Sequence, residues 1–357
     1  MPSTDELLDL AVAKRASSFR FDVLDVALNE VGTADVSAAS PPSISNDTDR
    51  AIKRQLSGLR MSPAQAAELD PLSSRLRPVM ILQDGTEWPL GVFLFSGYDR
   101  TRYSWGEVPM PTLHDQGVIL DQACERTISH PPGSLVTDRL GWLLARFDLP
   151  AGYVIQSSTA RTSAKSAMVW PAGTSYKNIL TETAALAGFY SGYFDNAGVL
   201  QFRAPGAADG SSGTDLWYPT RPDGPSRVLA GSVVVSDDLL NAPNRYIVID
   251  SSATDVPVFG WFDVPASAPH SAANRGFIVS SVTDRQGVGS NTNAMNVGRS
   301  LYAAARSYEW LTFDSPPDPR HDTFQTVDFD GVVYRETGWS MTLEAGGKMS
   351  HELRRTY

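Results

Sequence analysis

The 357-residue chain carries 30 basic and 40 acidic side chains, a formal charge of −10, with 42% hydrophobic and 20% charged residues. This is an ordinary composition for a soluble globular protein of two or three domains, and the acidic balance argues against general affinity for nucleic acid or an anionic membrane. A lone cysteine, Cys124, excludes an internal disulfide and a cysteine-based zinc cage.

The start, Met1 to Arg15, holds Asp5, Glu6 and Asp9 and no apolar run, so it does not read as a signal peptide. No run approaches the ~20 apolar residues of a membrane helix, and the chain is expected to fold or assemble in a cytoplasm. With 28 glycines, 24 prolines and many short apolar runs, a β-rich fold with few helices is expected.

In chain order, Leu7, Leu8, Leu10 and Val12 suggest a short leading helix or arm that packs on a neighbour. Phe19, Phe21 and Val23 alternate with charged residues, the period of a strand. A second strand is read from Asp35 toward Ile44, interrupted by Pro41-Pro42, and a third over Ile52 to Leu56 after the polar turn 44–50. Ser62 to Ser73 is a surface excursion. Arg77 to Leu82 returns as a strand, and Gln83-Asp84-Gly85 turns it into Trp88 to Phe95. Val108 to Leu113 and Val118 to Leu120 read as a closing strand and exit.

Then the period changes. Thr137-Asp138-Arg139 is placed to cap a helix with Leu140, Leu143, Leu144 and Phe147 on one face, stopped by Pro150-Ala151-Gly152. A second helix begins near Thr174 or Ser175, buries Tyr176, Ile179, Leu180, Thr183 and Leu186, and ends at Gly188, a residue suited to a left-handed cap. Phe189 to Phe194 and Val199 to Arg203 flank Asp195-Asn196-Ala197-Gly198, a hairpin signal.

Gly206 to Asp215 has the composition of a flexible loop. Val233 to Val235, Tyr246 to Ile249, Val256 to Val264 and Phe277 to Val279 read as strands. Ala294, Val297, Leu301, Ala304 and Tyr308 recur at helical spacing, predicting a helix over 293–308 with a cap among Asn291, Thr292 and Asn293. Glu309 to Phe313 is a strand, Ser315-Pro316-Pro317-Asp318-Pro319 forces a turn, and Phe324 to Phe329 is joined by Asp330-Gly331 to Val332-Val333-Tyr334.

Three ordered stretches resemble the phage tail hub proteins, the tail-tip or baseplate hubs often called minor tail proteins in phages of actinobacteria. The first is the strand and glycine turn at Asp84-Gly85 followed by Leu90-Gly91-Val92-Phe93. The second is the helix ending at Gly188, with its aromatic strand, turn and Leu200-Gln201-Phe202-Arg203. The third is the alanine-rich helix, the strand, the Pro316-Pro317-Asp318-Pro319 loop and the returning strand. The resemblance covers about Phe19 to Thr342 and implies a mainly β fold with an α+β insert, in which two small β-barrels are joined by a small α/β domain. The boundaries that follow are an N-terminal arm over 1–18, a first barrel over 19–121, an α/β insert over 122–205, a second barrel over 206–345 that includes the helix, and a C-terminal tail over 346–357.

The resemblance also implies a role: a structural virion protein, a homotrimeric hub that joins the end of the tail tube and the tape measure protein to the distal tail protein and other tip proteins. Such a ring leaves a channel for DNA, binds no nucleic acid specifically and inserts in no membrane. The central opening is expected to be lined by Asp and Glu more than by Lys and Arg. Some hubs carry a peptidoglycan hydrolase beyond the second barrel; ending at Tyr357, this chain leaves no room for one, and it is read as not an enzyme.

The search for chemistry agrees with that reading. The histidines, His114, His130, His270, His321 and His351, lie far apart with no His-x-x-x-His or His-Glu-x-x-His spacing. His114-Asp115 and His321-Asp322 would form a metal centre only if the fold joined them; isolated surface histidines are the expectation. Asn46-Asp47-Thr48-Asp49 has calcium-like spacing but lacks the glycine and late glutamate of a calcium loop, and reads as a hydrogen-bonded turn. No nucleophile elbow, phosphate loop or dinucleotide fingerprint occurs. No catalytic, cofactor-binding or metal residue is therefore assigned. The eight tryptophans are scattered rather than clustered, so no carbohydrate platform is indicated; Trp217-Tyr218 and Trp261-Phe262 beside loops are candidates for a protein interface, and receptor or carbohydrate binding is an alternative that rests only on the scattered aromatics and the Gly/Pro loops.

Overall fold

The structure is a computed structural model that describes residues 17–36, 41–103, 106–163, 167–205, 215–218, 227–251, 258–285, 287–304 and 308–355. The expected leading arm up to Ala16, the loop 206–214 and Trp105 fall outside the described residues.

Most strands join one 14-stranded sheet. Its longest path runs Val234–Asp237, Glu309–Ser315, Met349–Arg355, Val332–Thr342, Ser43–Asp47, Arg54–Ser57, Gly106–Asp115, Phe93–Tyr103, Arg75–Ile81, Ser18–Leu24 and Glu30–Ala34. Among the described residues the two end strands do not pair, so the sheet is not closed into a barrel. The early and late halves of the chain share this sheet. The long Val332–Thr342 strand makes the join: its first residues pair with Thr326–Phe329, and Gly338 to Thr342 pair with Asp47 to Ser43.

Two apolar clusters lie along the sheet. One gathers Phe21, Val23, Ile44, Leu56, Leu76, Phe93 and Leu113 with Trp339, Met341 and Met349 from the late strands. The other gathers Leu216, Tyr218, Leu311, Phe313, Val327, Phe329, Tyr334 and Leu353. Strand alternation supplies both, since residues two apart point to one face.

Several expectations need correcting. The supposed C-terminal tail over 346–357 contains Met349–Arg355, a strand hydrogen-bonded on both sides, to Glu309–Ser315 and to Val332–Thr342. Met349, His351 and Leu353 alternate inward there, which makes it an interior element. Val118 to Leu120 is a helical turn, Gly117–Leu120, seated by Asp115 Oδ1 accepting from the Gly117 amide at 2.7 Å. The strand expected from Asp35 to Ile44 is not found as such: Glu30–Ala34 ends before it, Val36 forms only an isolated bridge with Met61, 37–40 lie outside the described residues, and the next strand is Ser43–Asp47.

The insert follows the sequence reading closely. Its first helix is Val136–Leu144, with Leu140, Leu143 and Leu144 buried, and it begins one residue ahead of the expected Thr137 cap. The second is Tyr176–Ala185, where Ser175 Oγ accepts from the Asn178 amide at 3.2 Å. Gly188 has φ of +73°. Leu200–Phe202 pairs antiparallel with Tyr193–Phe194 and parallel with Tyr153–Ile155.

A further small sheet was not foreseen as a separate body. Arg245–Asp250 pairs antiparallel with Val258–Asp263 and parallel with Ser280–Asp284. The predicted helix spans Asn291–Ala304 and starts two residues earlier than expected, while 305–307 lie outside the described residues; Ser290 Oγ accepts from the Asn293 amide at 3.1 Å, so the cap lies one residue upstream of the expected set. It packs across this sheet rather than at the edge of a barrel. Two glycines permit the approach: a Cβ on Gly260 would lie 2.8 Å from both Ala294 Cβ and the Asn291 carbonyl, and one on Gly298 would lie 3.1 Å from the Tyr246 carbonyl.

Candidate functional site: a buried polar junction

The proline-rich segment 315–325 is the place where three parts of the chain meet. Prolines 316, 317 and 319 deny it ladder hydrogen bonds, so its polar groups are satisfied by side chains from elsewhere. From the early strands comes Arg54, 1% exposed. Its guanidinium donates to Asp322 Oδ1, to Thr323 Oγ1 at 3.4 Å and to Asn196 Oδ1 at 2.6 Å, and its carbon Cζ lies 5.5 Å from the centre of the Trp339 ring.

From the insert hairpin, Asn196 donates back to the His321 carbonyl at 2.9 Å, and Arg203 donates to the carbonyls of Thr323 and Phe324 at 3.2 and 3.3 Å. Phe324, at φ +61°, stacks on Tyr190 with ring centres 4.0 Å apart. Trp339 Nε1 donates to the Asp322 carbonyl at 3.0 Å, and Thr323 Oγ1 to Asn46 Oδ1 at 3.1 Å. Every one of these bonds spans different elements, so moving the segment breaks contacts to all three parts at once.

Beneath it lies a closed cluster of titratable groups. Glu336 bridges two imidazoles: Oε2 lies 2.8 Å from His321 Nδ1 and Oε1 lies 2.9 Å from His351 Nδ1. The far nitrogens are also engaged, His321 Nε2 with the Tyr218 hydroxyl at 2.6 Å and His351 Nε2 with Ser315 Oγ at 2.8 Å. Tyr218 donates to Asp318 Oδ2 at 3.2 Å, and Asp318 pairs with Arg320 at 2.7 Å. His321, Glu336 and His351 are each 1% exposed.

Burial sets the charge states. It holds both imidazoles in the neutral form, His321 down to about 4, and pushes Glu336 up to about 7 against the pull of His351. Asp318 is lowered to about 2: burial opposes its ionisation, but the Arg320 hydrogen bonds and the neighbouring positive charge outweigh it. His321, Glu336 and His351 are the described residues whose nitrogen and oxygen atoms are disposed to hold a metal ion, with one ligand atom from each lying within 4.8 Å of the others.

The fold treats the sequence candidates differently. His114 is half-buried beside Ser96, 2.6 Å from its hydroxyl, and has no hydrogen bond to His321. The two His-Asp dipeptides converge through their aspartates instead: Asp115 accepts from the Arg54 amide at 2.9 Å while Asp322 takes the Arg54 guanidinium. The expectation of isolated surface histidines fails for His130, His270, His321 and His351, which are all buried. The 46–49 stretch forms the expected turn, Asp47 accepting from the Asp49 amide at 2.9 Å. Trp217 and Trp261 are 43% and 45% exposed, whereas Tyr218 is buried in the cluster. Glu336 escaped the sequence reading and His351 entered it only as an isolated surface histidine; the available signal was a charged or imidazole side chain at an inward position of an otherwise apolar alternation.

No family model matches the sequence, and no curated protein matches it. Solved structures do. A tail protein from Neisseria meningitidis MC58 superposes with a TM-score of 0.60 at 12% identity, over 94% of this chain and 96% of that one. The 43 kDa tail protein of prophage MuSo2 from Shewanella oneidensis gives 0.60 at 9% identity, over 94% and 98%. A chain of the Francisella PdpA-VgrG complex, half-lidded, gives 0.54 at 9% identity, over 95% of this chain and 58% of that one. The chain therefore shares its fold with these two tail proteins and with a chain of the PdpA-VgrG complex.

Proposed function

We propose that this chain is a structural component of a phage tail or a tail-like particle, a homotrimeric hub at the tail tip or baseplate. In this reading three copies form a ring of paired barrel-like modules, each chain supplying two. The ring joins the tube end and tape measure to distal tip proteins and leaves a passage for DNA. The observation that carries it is the end-to-end agreement of fold with tail proteins, over 94% of this chain and 96% of the Neisseria protein.

The chain acts in this reading without catalysis. The buried cluster around Glu336 is sealed, with His321, Glu336 and His351 at 1% exposure, so no substrate reaches it. The charge of −10 also suits a ring that lets DNA pass without holding it. Threefold symmetry would place identical patches around one axis and close the ring.

Light scattering on the purified chain tests the assembly: three times 38.7 kDa is expected, and a monomer at micromolar concentration overturns it. Imaging particles in which this chain is tagged tests its position, with signal at the tail end expected. A second reading, recognition of a carbohydrate receptor, is favoured by the exposed and nearly parallel rings of Phe259 and Trp261, whose centres are 6.2 Å apart. A glycan screen that finds binding lost in Trp261→Ala would favour it.

A further inference from the structure

The hydroxyls around the Glu336 cluster settle where protons can sit. Tyr218 carries one hydroxyl proton and has two claimants, Asp318 Oδ2 at 3.2 Å and His321 Nε2 at 2.6 Å. Ser315 likewise has the Pro316 carbonyl at 2.8 Å and His351 Nε2 at 2.8 Å. Two proton inventories follow, each with neutral imidazoles.

In the first, both hydroxyls donate inward to Nε2, each imidazole carries its proton on Nδ1, and both Nδ1–H groups donate to the Glu336 carboxylate. Every donor and acceptor around Glu336 is then paired and nothing more is needed. In the second, the hydroxyls turn outward, Tyr218 to Asp318 and Ser315 to Pro316, and each imidazole donates from Nε2 to its hydroxyl oxygen. Two bare Nδ1 lone pairs then face two carboxylate oxygens at 2.8 and 2.9 Å; a proton on Glu336 would satisfy one of these pairs, whereas a metal cation satisfies both.

We propose that His321, Glu336 and His351 form a binding site for a divalent transition metal, with zinc the ion their chemistry fits. Two imidazole nitrogens and a carboxylate are borderline donors of the kind zinc takes. The groups behind them form the outer layer such sites use: each ligating imidazole has its other nitrogen fixed by a hydroxyl, and Tyr218 is fixed in turn by the Asp318 carboxylate. Asp318 also places a second negative charge one hydrogen bond beyond Tyr218. Passing from the first inventory to the second needs no proton to leave. Each imidazole proton moves from Nδ1 to Nε2, and each hydroxyl rotates outward. The ion thus replaces two N–H···O bonds with bonds to itself.

The site joins the segment 315–325 to the Val332–Thr342 and Met349–Arg355 strands, so a bound ion would staple that segment to the late sheet. Since all three groups are buried, the ion enters as the chain folds.

The test uses the full chain, unfolded in denaturant with a chelator and refolded with or without zinc chloride. One zinc per chain after gel filtration is expected, together with a denaturation midpoint moved to higher denaturant. Glu336→Gln is expected to refold without the bound zinc. Absence of zinc from the refolded wild type, or an equal content in Glu336→Gln, overturns the site. Should that variant fail to refold, the histidine ¹⁵N spectrum of the unsubstituted chain decides: two histidines shift from the Nδ1–H to the Nε2–H form with zinc if the proposal holds, and an unchanged spectrum overturns it.

Discussion

Arg54 is the side chain through which the early strands hold both the insert and the late segment, and replacing it measures that joint. Arg54→Met keeps much of the buried stem and removes the guanidinium. The 2.6 Å bond to Asn196 is charge-assisted and buried on the arginine side, which makes it worth about 1.5–3 kcal/mol. The bond to Asp322 counts for less: that carboxylate is 23% exposed and regains water when its partner leaves, so about 1 kcal/mol is a fair share. The contact with Trp339 adds about 0.5–1 kcal/mol. The expected loss is thus about 3–5 kcal/mol, and Arg54→Ala should cost about 2 kcal/mol more through the emptied stem volume. Urea unfolding followed by far-ultraviolet circular dichroism and by tryptophan fluorescence reads both the loss and the coupling. The two probes are expected to coincide in the wild type and to separate in Arg54→Met, because the insert is released from the sheet before the sheet melts. A loss under 1 kcal/mol with coincident transitions would refute the joint.

His130 is fully buried, and burial reinforced by Arg139 lowers it to about 4. It accepts from Arg139 Nε at Nδ1 and meets Thr183 Oγ1 at Nε2, a neutral imidazole with both nitrogens used. Because the unfolded chain takes up this proton first, near pH 6.5, stability from this group is intact above that pH and falls as pH drops toward 4, by about 3 kcal/mol in all. His130→Gln should flatten the pH dependence of the unfolding free energy over that window by up to one proton; parallel curves would contradict the assignment. Gly260→Ala should cost about 1–3 kcal/mol through the clash with Ala294 and Asn291, whereas Gly32→Ala, with open space at its Cβ, should be neutral or slightly stabilising. Equal melting temperatures for the two would refute the close packing of the helix on its sheet. Gly331→Ala should cost about 1 kcal/mol or more because Asp330 and Gly331 sit at φ +51° and +81° in a two-residue hairpin, and thermal melting reads it.

What was legible in the sequence was local. Ser175 and Gly188 bracket a helix by capping chemistry that depends on neighbouring residues alone, and both fall where expected. Asp330-Gly331 and the 195–198 turn are likewise set by backbone preference. What stayed hidden was pairing between distant strands. Nothing in Ser43–Asp47 announces Val332–Thr342 as its neighbour, since half-buried strands with the same period are interchangeable until a core selects among them. The same blindness concealed the cluster: His321, Glu336 and His351 reach one another only through the loop and the register of two strands. Met349–Arg355 was misjudged for a related reason. His351 and the charged residues around it read as surface, yet they alternate with Met349 and Leu353, and the inward imidazole is satisfied by a partner fifteen positions earlier.

That placement of polar groups bears on the proposed mechanical role. A sheet running continuously from Glu30–Ala34 to Val234–Asp237 resists extension, because a load along one strand is shared through the ladders to its neighbours. Segment 316–324, with its prolines, has no such ladder and would be the compliant point between the two ends. Apolar contacts there would permit sliding, since burial is indifferent to direction. Arg54, Asn196, Asp322, Thr323 and Trp339 are instead held by directional hydrogen bonds, which lose energy steeply on displacement. A buried polar junction therefore fixes position where an apolar one would only fix proximity, and fixed position is what the proposed ring would require of each of its chains.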